Sequence, residues 1–93
     1  MESTKKTTNI AVIKIHVLFF ASLKELFKKE EIELEVKEGS TIKNIRDQLF
    51  NGIENAERKL QATLYAINHN YASLEDKVRE GDEVAFFPFV SGG

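Results

Sequence analysis

The stretch Glu83-Val84-Ala85-Phe86-Phe87-Pro88-Phe89-Val90-Ser91-Gly92-Gly93 couples an apolar strand to a pair of glycines. The residues from Val84 to Val90 are mostly β-branched or aromatic and favour extended backbone, so they are predicted to form the last strand of a sheet. Pro88 has no N–H, and sheet pairing is expected to end there. If Val84 and Phe86 face a core, Ala85 and Phe87 face outwards, because side chains alternate along a strand. Gly92 and Gly93 are the slimmest backbone a chain can offer, since neither has a Cβ to meet the walls of a narrow channel. Such a segment can be threaded into another protein's active site, where the only group able to react is the Gly93 carboxylate. At a usual glycine content of roughly 7%, a Gly-Gly end arises by chance in about one chain in two hundred. The other glycines, Gly39, Gly52 and Gly81, each stand where a turn or a helix cap is needed. Gly92 and Gly93 have no such local duty, which favours a functional tail.

Working back from the tail, Arg79-Glu80-Gly81-Asp82 reads as a turn, with Val78 packing just before it. Tyr71–Leu74 reads as a short strand returning from a turn at Asn68-His69-Asn70, and 64–67 as the strand before that turn. Ile42, Ile45, Leu49 and Phe50 form a helical stripe with Thr41 or Ser40 as its N-cap and Asn51-Gly52 as its stop. A weaker helical piece covers 53–61, with Arg58 and Lys59 facing water. Ile32, Leu34 and Val36 alternate with Glu33, Glu35 and Lys37, the pattern of an edge strand with one buried face. Residues 21–29 take helical spacing through Leu23, Leu26 and Phe27. From Ile10 to Phe20 a first strand carries Ile13, Ile15, Val17 and Phe19 on one face, and Lys14, His16, Leu18 and Phe20 on the other.

This element order has too few helices for a doubly wound sheet and too many for a sandwich. It predicts an α+β domain with one main helix on a mixed sheet, the β-grasp arrangement. The expected organisation is a disordered leader at 1–9, a β-grasp domain at 10–90 and an extended reactive tail at 91–93.

Composition narrows the chemistry. The 93 residues carry a formal net charge of -2 with both signs interspersed, so no basic field is present to hold nucleic acid. Cysteine is absent, which removes disulfides, cysteine metal sites and a thiol nucleophile together. Polar residues at 1–9 and the interruption of the following apolar run by Lys14 and His16 fit neither a signal segment nor a membrane span, so the expected location is cytoplasmic. His16 and His69 are the only histidines, without a third ligand at metal-site spacing, and read as solvated or hydrogen-bonded imidazoles. Glu31, Glu33 and Glu35 read as one solvated strand face. No phosphate-binding loop or catalytic triad is present. In a β-grasp sheet the first and last strands are neighbours, so Phe20, Phe87 and Phe89 are expected to form an apolar patch beside the tail, suited to a protein partner.

Val17-Leu18-Phe19-Phe20-Ala21 with Glu25-Leu26, Ala66-Ile67-Asn68, and Gly81-Asp82-Glu83-Val84-Ala85-Phe86-Phe87-Pro88 through Val90-Ser91-Gly92-Gly93 closely resemble the ubiquitin-like family of small, sulfur-carrying subunits of molybdopterin synthase. The resemblance spans roughly 10–93 in element order, with its most specific motifs in the last dozen residues or so. One position departs: the family usually has two prolines before Val-Ser-Gly-Gly, and here the second is Phe89.

The resemblance implies a sulfur-carrier subunit in molybdenum cofactor biosynthesis. An E1-like partner would use ATP to turn the Gly93 carboxylate into an acyl-adenylate, and a sulfurtransferase system would then install a thiocarboxylate. Gly92 would thread with Gly93 into the large subunit, while Phe20, Phe87, Pro88, Phe89, Val90 and Ser91 would meet that partner. Sulfur would pass to cyclic pyranopterin monophosphate in a heterotetramer of two small and two large subunits, with catalytic side chains on the large one. No cofactor or metal is expected on this chain. The absence of cysteine is compatible with this scheme, because an activated carboxylate can hold sulfur where no thiol exists. The alternatives sharing the fold and tail are a sulfur carrier for thiamine or thionucleoside synthesis, a ubiquitin-like protein modifier, and a plain β-grasp binding domain.

Overall fold

The computed structural model describes residues 11–89. Along the chain run β1 (Val12–Phe19), α1 (Ala21–Phe27), β2 (Glu31–Lys37), α2 (Ile42–Phe50), α3 (Ala56–Gln61), β3 (Thr63–Ile67), β4 (Asn70–Ala72) and β5 (Glu83–Pro88). The strands form one five-stranded sheet in the order β2-β1-β5-β3-β4. β1 and β5 pair in parallel at its centre, and every other neighbouring pair is antiparallel. This is the mixed β-grasp sheet expected from the sequence, with β2 at an edge.

The alternation along β1 settles which face is buried. Ile15 and Val17 are fully enclosed and Phe19 nearly so, while Lys14 and His16 are exposed. Across the parallel pair, Val17 lies opposite Val84 and Phe19 opposite Phe86, so the two central strands bury the same phase of their sequences. Phe86, with no exposed surface, is the hub: its ring centroid lies 5.2 Å from Tyr65, 6.1 Å from Phe19 and 6.4 Å from Phe50. Burying such a side chain contributes about 1.5–3 kcal/mol.

The core face is completed by α2, which buries Ile42, Ile45 and Phe50 at helical spacing. Its start is fixed by a capping box: the Asn44 N–H donates to Thr41 Oγ1 at 3.2 Å, and the Thr41 N–H donates to Asn44 Oδ1 at 2.9 Å. Of the two predicted caps, Thr41 is the one used. Ser40 instead donates its hydroxyl to the Lys37 carbonyl at 2.7 Å.

Several boundaries differ from expectation. The piece predicted over 53–61 is helical only from Ala56, because Asn55 adopts a left-handed φ of 58° and the Ile53 N–H closes a separate turn on the Phe50 carbonyl at 3.0 Å. Lys59, expected in water, is half-buried, with Nζ donating to the Glu54 carbonyl at 3.0 Å. β4 is Asn70–Ala72 rather than 71–74. β5 ends at Pro88, where sheet pairing was expected to end, although the Phe89 N–H still donates to the Ala62 carbonyl at 2.7 Å; Val90, the expected end of the apolar run, lies outside the described residues. Pairing therefore passes Pro88 by one residue.

The β3–β4 turn fixes where β5 begins. Asn68 and His69 both have positive φ, 50° and 75°, the geometry of a two-residue hairpin loop with the twist that strands prefer. The Asn68 amide then ties that loop to β5: its Nδ2 donates to Asp82 Oδ1 and its Oδ1 accepts from the Glu83 N–H, both at 2.9 Å. The Gly81 N–H donates to the Lys14 carbonyl at 2.8 Å, linking the same corner to β1, and a φ of 84° at Gly81 makes a side chain there unwelcome. Asn68→Ala is expected to lower unfolding free energy by about 1–2 kcal/mol, since it removes two exposed hydrogen bonds and places alanine at a positive φ. Chemical denaturation measures this, and an unchanged midpoint would show that the corner is held by backbone bonds alone.

Candidate docking face and reactive tail

Helices cover one face of the sheet and leave the other open. On that open face the outward phases of the strands come into register: Leu18 opposite Ala85, Ala85 opposite Ala66, Leu64 opposite Phe87 and Ala66 opposite Tyr71. Ala66 and Ala85 make a flat floor, and the rings stand around it. Phe20 belongs here because the β1 phase continues one residue past the strand: it remains extended, and its N–H donates to the Phe86 carbonyl at 3.2 Å.

Phe20 and Phe87 meet edge to face, with centroids 6.5 Å apart and planes at 86°, and Phe87 lies 5.9 Å from Tyr71. Phe20 is 48% exposed and Tyr71 80%. Phe20, Ala21, Ala85, Phe87 and Pro88 line an open depression of about 420 Å³. Exposed aromatic rings gathered in one patch are uncommon on a protein that works alone and mark a surface for a partner.

The structure thus brings Phe20 and Phe87 together, as the sequence predicted, with Pro88 beside them. It separates Phe89, which is 56% exposed and, among the described residues, makes no ring pair with Phe20 or Phe87. Tyr71 supplies the third ring, and the sequence reading missed it. The signal was available in Asn68-His69: a two-residue loop there places Tyr71 opposite Ala66 and therefore on the open face. Val90, Ser91, Gly92 and Gly93 lie outside the described residues.

Towards β2 the open face turns acidic. Glu31, Glu33 and Glu35 are all exposed, as expected. Both histidines pair with carboxylates: His16 Nδ1 lies 3.2 Å from Glu31 Oε2 and its Nε2 3.8 Å from Glu33 Oε2, while His69 Nε2 lies 2.9 Å from Glu83 Oε1. Such exposed pairs are worth little to stability, so their effect is on surface character. Among the described residues no group of three or more His, Cys, Asp or Glu is arranged to hold a metal ion, and no helix is long and apolar enough to cross a membrane.

A second depression, of about 180 Å³, lies on the other side of Pro88, between α1 and the α3–β3 junction, with Leu23, Leu26, Lys59 and Thr63 in its lining. Pro88 thus stands between two hollows, one residue before the last backbone bond described for the sheet.

The ThiS family model matches residues 17–93. The chain is 35% identical to a molybdopterin synthase sulfur carrier subunit of Mycobacterium tuberculosis over 83 residues, covering 88% of this chain and all of that protein. It is 38% identical to one of Haemophilus influenzae, covering 85% of this chain and 99% of the relative. Among solved structures, SAMP1 from Haloferax volcanii superposes with a TM-score of 0.70 at 26% identity, covering 86% of this chain and 99% of that one.

Proposed function

The chain belongs to the ThiS family, among whose members it is similar over nearly full length to molybdopterin synthase sulfur carrier subunits, and from that premise we propose that it donates sulfur to a pterin precursor through a thiocarboxylate on Gly93. The observation that carries this reading is a strand bearing an aromatic docking patch and running directly towards Val90-Ser91-Gly92-Gly93.

Each part of the tail has a task that suits its chemistry. The Gly93 carboxylate is a poor acyl donor until an E1-like partner adenylates it with ATP; AMP then leaves as an incoming sulfur forms the thiocarboxylate. Gly92 and Gly93 have no side chains to obstruct a narrow channel. Phe20, Phe87 and Pro88 hold the large synthase subunit, and Phe89, Val90 and Ser91 span from that patch to the reaction. In the large subunit the thiocarboxylate sulfur attacks a carbon of cyclic pyranopterin monophosphate and displaces an oxygen substituent; water then cleaves the resulting acyl–sulfur bond, so that the sulfur stays on the pterin and Gly93 returns to a carboxylate. The acid–base side chains for that step belong to the large subunit, and two copies of each subunit make up the synthase. The absence of cysteine fits a carrier that stores sulfur on its main chain.

Reconstitution with the adenylating partner, ATP, a sulfur source, the large subunit and the pterin precursor tests the reading. The expected product is the dithiolene pterin. Isopeptide adducts on target lysines in its place would identify a protein modifier, and transfer to a thiazole or a nucleoside would identify a carrier for another pathway.

A further inference from the structure

The hollow on the far side of Pro88 from the ring patch is built for an apolar group. Leu23, Leu26, Ala62 and Pro88 supply its apolar lining. The polar groups beside them are engaged elsewhere or face water: the buried Thr63 donates its hydroxyl to the Lys59 carbonyl at 2.7 Å, Lys59 Nζ donates to the Glu54 carbonyl at 3.0 Å, and Ser22 is exposed. A site with so few free polar partners holds water poorly. Its volume of about 180 Å³ has room for the three carbons of a small aliphatic side chain, at about 30 Å³ for each water-sized group.

The phase of β5 names that side chain. Val84 and Phe86 are fully buried on the helix-covered face, and Pro88, the next residue of that phase, is half-buried and lines the hollow. Phe87 belongs to the opposite phase, and Phe89, two residues on, is 56% exposed. The Phe89 N–H bond to the Ala62 carbonyl carries the β3–β5 register, in which Pro88 faces Thr63, one residue further. On extended backbone, side chains two apart share a face and stand about 7 Å from one another. Val90 is the next residue of the buried phase after Pro88, so an extended continuation would bring its isopropyl group over the hollow. Extended backbone at 89 suffices for this, whatever side chain stands there.

We propose that this hollow seats the Val90 side chain in the free chain and gives it up when the large subunit docks. Seating leaves Ser91, Gly92 and Gly93 free, about 10 Å of extended chain, and release adds one residue and about 3.5 Å. The reactive end is thereby held short until a partner takes it. Seat and partner compete for one residue, so docking carries the cost of emptying the seat. A seat filled about nine-tenths of the time lowers the partner's apparent affinity about tenfold. The release step rests on the sulfur-donor reading above; the seat itself does not.

Methyl NOE spectroscopy of the free full chain tests the seat. Cross-peaks from the Val90 methyls to those of Leu23 and Leu26 are expected, and their absence would overturn the proposal. Ala62→Leu enlarges an exposed residue of the hollow's wall that lies outside the ring patch, and Ser22→Leu does the same from α1. In both variants the Val90 cross-peaks should vanish while the amide spectrum of the folded domain persists. Cross-peaks that survive the filling would place Val90 elsewhere and overturn the seat. Titration with the large subunit should then show about tenfold tighter binding in both variants than in the native chain. Unchanged or weaker binding alongside lost cross-peaks would overturn the release step. A native chain that seats Val90 but neither binds the large subunit nor transfers sulfur would overturn the donor reading, and the release step with it, and leave the seat standing.

Discussion

Deleting Gly93 is expected to abolish sulfur transfer while leaving the fold and the docking of the large subunit in place. Among the described residues the sheet ends at Pro88 and its last backbone bond is made by Phe89, so the described core and sheet are formed by residues that precede 93. The shortened chain would still end in a glycine carboxylate, but about 3.5 Å short of its position. A placement error of that size predicts a loss of at least about a hundredfold in the transfer step. Single-turnover assays would read the loss, thermal unfolding the unchanged fold, and titration with the large subunit the retained affinity. A substantial fall in melting temperature would show that the tail is structural, and retained transfer would show that the reactive end is elsewhere.

The second large effect is expected at Phe87. Replacing it with lysine places a charge in the middle of the ring patch, between Phe20 and Tyr71 and opposite Leu64. Central aromatic anchors of an interface are typically worth about 2–4 kcal/mol, so Phe87→Lys should weaken binding of the large subunit roughly thirtyfold to a thousandfold. The cost to folding should stay within about 1 kcal/mol, because the side chain projects from the open face. The adjacent Phe86 sets the contrast: it is fully buried among Phe19, Phe50 and Tyr65, and a charge there would break the core. Unchanged affinity with a large loss of stability in Phe87→Lys would place that ring among the structural residues instead.

Much of this was legible in the residues because it depends on local periodicity. The alternation of Ile13, Ile15, Val17 and Phe19 with Lys14 and His16 could be satisfied only by a strand with one buried face, and the stripe Ile42, Ile45, Phe50 only by a helix. The phase of β5 followed in the same way, placing Phe87 outwards beside Phe20. What local pattern could not supply was pairing between distant segments. The β2-β1-β5-β3-β4 order emerges only when β5 inserts between β1 and β3. Tyr71 joined the patch through hairpin register, and Asn55, in a left-handed conformation that asparagine tolerates, cut short a helix that the apolar spacing of Ile53, Ala56 and Leu60 had extended. Phe89 is the clearest case. Its aromatic character suggested a third ring of the patch, yet its backbone N–H, which periodicity does not register, is the group that bonds to Ala62.

The central claim is that sulfur is carried on the Gly93 carboxyl group, and mass spectrometry of the intact chain and its fragments tests it most directly. After incubation with the adenylating partner, ATP and a sulfur source, the account predicts replacement of one oxygen by sulfur, located on Gly93 and reversed when the large subunit and pterin precursor are added. An unchanged mass, or sulfur found on any other residue, would contradict it.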